Sequence, residues 1–197
     1  MYGHLLEDVL ILLARLAGHT VTDLQKQVNV YGIVGHQDCM IDGILVDCKS
    51  ASGKSFEKFS KDTLSTDDPF GYIAQISAYA EGNNVDEAAF LAIDKQHGNI
   101  CLTRIHSMDM INVKKRIEYL KGSMDESNPP DKCYADVSDG ASGNRKLAIG
   151  CFYCAHNRTC WSDSNEGKGL RVFNYANGHR YLTKVGKEPN VEEVTTW

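Results

Sequence analysis

The stretch Gly35-His36-Gln37-Asp38-Cys39-Met40-Ile41-Asp42-Gly43-Ile44-Leu45-Val46-Asp47-Cys48-Lys49 decides the fold. Asp-Gly between apolar-rich runs marks a two-residue hairpin turn. With the turn at Asp42-Gly43, Ile41 faces Ile44, Cys39 faces Val46 and Asp38 faces Asp47. Directly opposed residues have Cβ atoms about 4.5–5.5 Å apart, and like charges there repel. Two residues further along the same face, His36 comes opposite Lys49, while Ile44, Val46 and Cys48 make the other, core-facing side. Two carboxylates set against each other call for a cation between them. The hairpin therefore reads as a metal-dependent hydrolytic site.

The chain has 197 residues, 42% hydrophobic and 24% charged, enough for one domain with a sizeable core and a small appended module. A formal net charge of −5 excludes a globally basic nucleic-acid binder, so any DNA contact has to come from a local face. Lys49, Lys54, Lys58 and Lys61 form one such cluster, and Lys114, Lys115 and Arg116 another. Runs of this kind are more often plain solvated faces. No secretory signal and no apolar run of membrane-spanning length is present, so a cytoplasmic location with no membrane partner is expected. Leu5–Leu16, broken by Glu7, Asp8 and Arg15, has helical spacing and reads as a buried amphipathic helix. Without an export signal, the seven cysteines suggest metal binding or reduced thiols rather than disulfides.

Outward from the hairpin, Gly3 to Ala17 is expected to be a helix stopped by Gly18. Thr20 to Val30 reads as a strand. Ser50 to Asp68 reads as a polar loop with one helical turn anchored by Phe56 and Phe59, and Pro69 opens a helix running to about Gly82. Ala88–Ile93 and Asn99–His106 form a second hairpin about His97-Gly98-Asn99. Met108–Lys121 is helical, with Met110, Val113, Ile117 and Leu120 on one stripe. The composition changes at Asn128-Pro129-Pro130. The expected organisation is a core over residues 1–125 and a cysteine-bearing segment over 126–197, packed on that core. The segment ends in a hairpin of Leu170–Tyr175 and Tyr181–Lys187 about Asn177-Gly178, with a Trp197 tail. Helix, strand, hairpin, helix and strands in that order predict an α/β fold with a mixed sheet.

Phosphodiester hydrolysis gathers negative charge on a group that is already anionic, and divalent cations held by carboxylates relieve it. Oxygen ligands favour Mg²⁺ or Mn²⁺ over zinc. Asp38 and Asp47 are the candidate ligands, with the Cys48 carbonyl as a third oxygen. Lys49, on the face of Asp47, is placed to orient water or stabilise developing charge.

Gly3-His4-Leu5-Leu6-Glu7, Gly35-His36-Gln37-Asp38, Asp47-Cys48-Lys49 and Gln75-Ile76-Ser77-Ala78-Tyr79 resemble, in order and spacing, the motif set of the PD-(D/E)XK nuclease superfamily. The likeness is greatest to its RecB-like branch and phage-encoded members, and it covers roughly residues 3 to 161. It implies a restriction-endonuclease-like core, with the site hairpin central in a mixed sheet flanked by helices. It further implies a Mg²⁺- or Mn²⁺-dependent deoxyribonuclease, more an exonuclease acting on free DNA ends than a sequence-specific endonuclease, in recombination, repair or phage DNA processing. Glu7 would approach the metal directly or through water. Gln75 and Tyr79, four apart on one helical face, would contact the DNA backbone or orient Lys49. Many RecB-like members use a histidine on the first helix, where this chain has His4 beside Glu7. Homo-oligomerisation or a recombination or replication partner protein fits the same setting. Relatives usually carry a segment before the first helix, which here begins almost at Met1.

Cys151-Phe152-Tyr153-Cys154 and Cys160 give C-x2-C-x5-C, a spacing that can wrap a tetrahedral metal or three corners of an iron–sulfur cluster. Cys133, eighteen residues upstream, is the candidate fourth ligand and His156 the alternative. RecB-like nucleases with an iron–sulfur staple show this pattern, which implies a structural 4Fe–4S cluster, with zinc as the alternative. Their fourth cysteine usually precedes the first helix, whereas the first cysteine here is Cys39. Cys39, Cys48 and Cys101 fall in strands and read as core thiols. Two further readings compete with the nuclease: a non-catalytic nucleic-acid-binding or assembly module on this scaffold, and a redox protein built on the cysteines.

Overall fold

Asp42 and Gly43 both take positive φ, 50° and 83°, as a type I′ hairpin turn requires. They join β4 (Cys39–Ile41) to β5 (Ile44–Ala51), with Ile41 opposite Ile44 and Cys39 opposite Val46, as expected. The computed structural model describes residues 2–125 and 130–195, and the chain divides into two compact units, Met1–Gly122 and Ser123–Trp197.

In the first unit, β5 runs parallel to β6 (Glu87–Asp94), and β6 is antiparallel to β7 (Ile100–His106). A short β1 (Val21–Thr22) closes the other edge against β4, giving a five-stranded order β1-β4-β5-β6-β7. A parallel pair needs a crossover. It is supplied by α2 (Lys54–Ser60) and α3 (Tyr72–Asn83). These, with Leu64 of the connection between them, cover one sheet face through Phe59, Ile73, Ile76 and Ala80, packed on Leu45 and Phe90. The other face carries Cys39, Val46 and Ala89 against Ile11 of α1 (Tyr2–Leu16). The fold is α/β, a central mixed five-stranded sheet flanked by helices. No helix of the described residues is long and apolar enough to cross a membrane.

Several elements differ from expectation. Thr20–Val30 is not one strand: Asp23 and Gln25 take positive φ, so the chain turns and starts again as β2 (Gln27–Val30). β2 pairs with β3 (Ile33–His36) through a tight Tyr31-Gly32 turn, an added hairpin whose turn residues lack the Asn-Gly or Asp-Gly signature. His36 therefore lies opposite Gln27, not Lys49. The helix from Gly3 is present but only partly buried. Leu10 and Ile11 are covered while Leu12 and Leu16 are exposed. β5 reaches Ala51 and α2 is about two turns, where a polar loop with one helical turn was expected from Ser50. α3 begins at Tyr72 rather than Pro69, because the Asp68 carboxylate accepts the Tyr72 and Ile73 amides at 2.9 and 2.8 Å. Met110 lies outside the following helix, α4 (Val113–Asp125), after a short 3-10 turn; Val113 and Ile117 are buried and Leu120 is exposed.

α3 crosses β2 closely at Gly82. A Cβ there would stand 2.2 Å from Val28 Cγ1 and 2.8 Å from Val30 Cγ2. Gly-to-Ala in a helix normally gains about 1 kcal/mol. Here overpacking reverses the sign, so Gly82→Ala is expected to cost about 1–3 kcal/mol in denaturant unfolding.

The second unit is built on β8 (Val137–Ser138), β9 (Arg145–Lys146), β10 (Arg171–Tyr175) and β11 (Gly178–Lys184), ordered β10-β11-β9-β8. Tyr175 pairs with Gly178, so the turn is Ala176-Asn177, one residue earlier than expected, and the returning strand begins at Gly178. Leu147, Cys151 and Trp161 form a small core, and buried polar groups fix the loops. Asn144 Oδ1 accepts the Gly186 and Lys187 amides, both at 2.8 Å. Asp139 Oδ1 is contacted by Lys146 and Arg180 at 3.0 and 2.9 Å. The expected boundary at Asn128-Pro129 and the Trp197 tail lie outside the described residues.

Candidate active site

β5 reads Ile-Leu-Val-Asp-Cys-Lys-Ser-Ala, apolar on both faces in its first half, as a strand between helical layers must be. Its alternation puts Leu45, Asp47 and Lys49 on the α3 side. Asp47 is thereby carried into the interior, only 2% exposed. Its Oδ2 is buried without a hydrogen-bond partner of proper geometry. Lys49 Nζ stands 2.6 Å from that oxygen, as a charge contact rather than an aligned hydrogen bond. Burial pushes the Asp47 carboxyl up to about 6; Lys49 opposes the shift, and Asp38 and Glu7 add to it.

The β4–β5 ladder ends at Cys39–Val46. Just beyond it, Asp38 turns its carboxylate to β5, where Oδ2 accepts the Cys48 amide at 2.7 Å. Burial raises the Asp38 pKa, opposed by that amide and by Lys49. Glu7 of α1 is half-buried and accepts Gln25 Nε2 at 2.6 Å; burial and then Asp38 raise it too. Glu7, Asp38 and Asp47 are thus brought within electrostatic reach of one another, each held above its ordinary range. His4 Nδ1 lies 3.6 Å from Glu7 Oε2, and the exposed His36 stays on the β2–β3 hairpin. Cys48 contributes its amide to Asp38, while contact with Cys39 and burial push its thiol up, as befits a neutral core group. Cys101 is half-buried against the α2–α3 side of the core.

On α3, Gln75 Oε1 accepts Lys49 Nζ at 3.1 Å. Tyr79 packs against Gly35, where a Cβ would come within 3.0 Å of Tyr79 Cε1, and against both neighbouring cores. It positions the strand leading to Asp38. Sequence reasoning did not single out Gln25, which holds Glu7, or Tyr72, whose ring centroid is 5.0 Å from Lys49 Nζ. Tyr72 precedes Gln75 by three on one helical face, a spacing that could have signalled it. Gln25 sits in an irregular turn with no such signal. Gln37 is fully buried and accepts Asn83 Nδ2 at 2.6 Å, tying the β3–β4 junction to the end of α3.

The expected basic cluster on α2 is largely neutralised: Lys58 pairs with Asp67 and Lys61 with Glu57, at 2.8 and 2.9 Å. The C-terminal cysteines are free thiols, Cys151 buried, Cys160 half-buried, Cys133 and Cys154 exposed. Among the described residues, no group of three or more His, Cys, Asp or Glu side chains is arranged to hold a metal ion. Neither the carboxylates nor the cysteines form a finished cage. The carboxylates nonetheless supply the right chemistry: oxygen donors, mutual repulsion and a buried, orphaned Asp47 oxygen. In the second unit the Trp161 indole N–H is also buried and orphaned, in one apolar cluster with Cys151 and Cys160. Burial pushes the Cys151 thiol up, and Trp161 works in the opposite direction.

No protein-family model matches the sequence, and comparison with curated proteins finds none that matches. Among solved structures the chain is similar to an alkaline exonuclease (LHK-Exo) from Laribacter hongkongensis, with 17% identity and a TM-score of 0.41 over 62% of this chain and 72% of that one. The same exonuclease in complex with dAMP gives 17% identity and a TM-score of 0.40 over the same shares, 62% and 72%. SSO0001 gives 15% identity and a TM-score of 0.39 over 64% of this chain and 61% of that one.

Proposed function

We propose that this chain is a metal-dependent DNA nuclease, an exonuclease in preference to a sequence-specific endonuclease. The observation that carries the reading is Asp47: an almost fully buried carboxylate with an orphaned oxygen, a lysine at 2.6 Å and two further carboxylates raising its pKa. Lys49 offsets one of the three neighbouring carboxylates, and a divalent cation would offset the remaining repulsion. Asp38 and Asp47 would hold Mg²⁺ or Mn²⁺, with Glu7 directly or through water and the Cys48 carbonyl as a further oxygen. When bound, the metal supplies charge neutralisation and a more acidic water. Lys49, steadied by Gln75 and Tyr72, sets its ammonium where the phosphoryl oxygens gather charge. The half-exposed Asp38 and exposed Gln75 leave the substrate side open, while Gln25 fixes the Glu7 carboxylate.

The test is cleavage of end-labelled linear single- and double-stranded DNA, with closed circles as control, in Mg²⁺ or Mn²⁺. Loss of linear substrates alone supports an exonuclease, and loss of circles makes it an endonuclease. No cleavage by folded protein sinks the reading in favour of a binding module. That alternative draws on the absence of a finished ligand cage among the described residues.

Cys133, Cys151, Cys154 and Cys160 are proposed as ligands of a structural group, a 4Fe–4S cluster with zinc as the alternative. The support is their spacing and the orphaned Trp161 N–H, which a neighbouring thiolate would engage. Cys154 is exposed, so Cys154→Ser leaves the apolar packing alone. It is expected to lose iron or zinc by elemental analysis and to lower Tm. Unchanged metal content removes the group from the account.

A further inference from the structure

We infer that Gln25 is a positioning residue: it holds the Glu7 carboxylate against Asp38 and thereby sets how tightly the site binds a divalent cation. This rests on the reading of those carboxylates as cation ligands. Glu7 and Asp38 come from separate elements, α1 and the β3–β4 junction, and their charges repel. Gln25, in the turn between β1 and β2, is tied to both. Its Nε2 donates to Glu7 Oε1 at 2.6 Å, and its backbone N–H donates to the Asp38 carbonyl at 3.0 Å. The turn is stitched to the segment that leads into Asp38. The Gln37 amide donates to the Lys26 carbonyl at 3.1 Å, and Gln37 Nε2 donates to the Asp23 carbonyl at 3.4 Å. Gln37 is itself buried and bonded to Asn83 of α3.

The backbone of this turn is strained for the residues it carries. Gln25 takes φ 49° and Asp23 φ 50°. Glycine or asparagine would adopt that left-handed conformation with less strain than glutamine. Strain kept beside reactive groups points to a requirement for the side chain. Glycine has no donor, and asparagine is one methylene too short to replace glutamine over the same reach. The donor is also neutral. A lysine or arginine in its place would cancel the negative charge that attracts a cation, and a carboxylate would add to the repulsion. A carboxamide orients Glu7 and leaves the charge of the pair available. Gln25 acts through Glu7, and the carboxylates and Lys49 do the chemistry.

The experiment titrates the full chain with Mn²⁺ by calorimetry and follows DNA cleavage against Mn²⁺ concentration. The variants are Gln25→Met, which keeps the length without a donor, and Gln25→Gly, which relaxes the turn. Gln25 is exposed, so both leave the core intact, and Tm checks that each is folded. Each is expected to weaken Mn²⁺ binding roughly 10-fold, as losing a hydrogen bond to a metal ligand does. Gln25→Gly should do so with a Tm no lower than wild type, because glycine suits the turn. Cleavage lost at limiting Mn²⁺ should return at saturating Mn²⁺, a rescue that a purely structural defect would not show. In a Glu7→Ala background, Gln25→Met should add little further loss of affinity. Unchanged Mn²⁺ binding in both variants, or the same loss with Glu7 absent, overturns the inference; a wild type that still cleaves leaves the nuclease reading standing. Mn²⁺ binding that depends on Gln25 without any cleavage keeps the inference and removes the nuclease. A wild type that binds no Mn²⁺ removes both.

Discussion

Asp47→Asn is expected to lose metal-dependent cleavage by roughly 10³-fold or more while becoming more stable than the wild type without metal. Asparagine keeps the shape of the side chain and removes the charge that β5 buries. The carboxyl is pushed from 3.8 to about 6 by folding. Well below pH 4 both folded and unfolded chains are protonated there. As pH rises through 4 to 6 the unfolded chain ionises first, so stability falls and the contribution is gone above pH 6. The shift corresponds to about 3 kcal/mol. Urea unfolding in EDTA should therefore show Asp47→Asn more stable by up to about 3 kcal/mol at pH 7.5, and near wild type at pH 4. Mg²⁺ or Mn²⁺ should raise the wild-type Tm but not the variant's. Equal stability at both pH values, or wild-type turnover, would show that Asp47 is not the buried ligand.

Lys49→Met should also lose activity, roughly 10²- to 10³-fold, mostly in kcat, because its ammonium acts on charge that develops during the reaction. Its effect on stability has the opposite sign. Removing the lysine leaves Asp47 buried with two carboxylates nearby and no counter-charge, so stability at pH 7.5 should fall by up to about 3 kcal/mol. Divalent cation should recover part of the loss by neutralising the carboxylates. The double variant Asp47→Asn/Lys49→Met should be more stable than Lys49→Met alone, since the uncompensated charge is gone. Two inactive variants with opposed stability effects separate a catalytic ion pair from a structural one. If both merely destabilise, the pair is a structural tie.

The hairpin was legible because its signals are local: an Asp-Gly turn demanding positive φ and a strict two-residue alternation behind it. The β6–β7 hairpin and α1 followed from periodicity for the same reason. The β2–β3 hairpin escaped because Tyr31, a poor turn residue by type, is held at positive φ within tertiary ties, its hydroxyl bonded to Glu81 and its carbonyl to Lys121. Once that hairpin exists, His36 belongs to it, and the sequence register with Lys49 fails. The start of α3 slipped from Pro69 to Tyr72 because an acidic cap, Asp68, outweighed the proline signal.

The sequence by itself determined the hairpin about Asp42-Gly43 and the alternation that puts Asp47 and Lys49 on one side of β5, because turn chemistry and strand alternation are properties of neighbouring residues. Only the tertiary structure decided that Asp47 is buried, that Gln25 holds Glu7, and that Gln75 and the Tyr72 ring lie against Lys49. Those facts depend on which helix covers which face of the sheet. That choice is made by packing between residues far apart in the chain, and no local pattern encodes it.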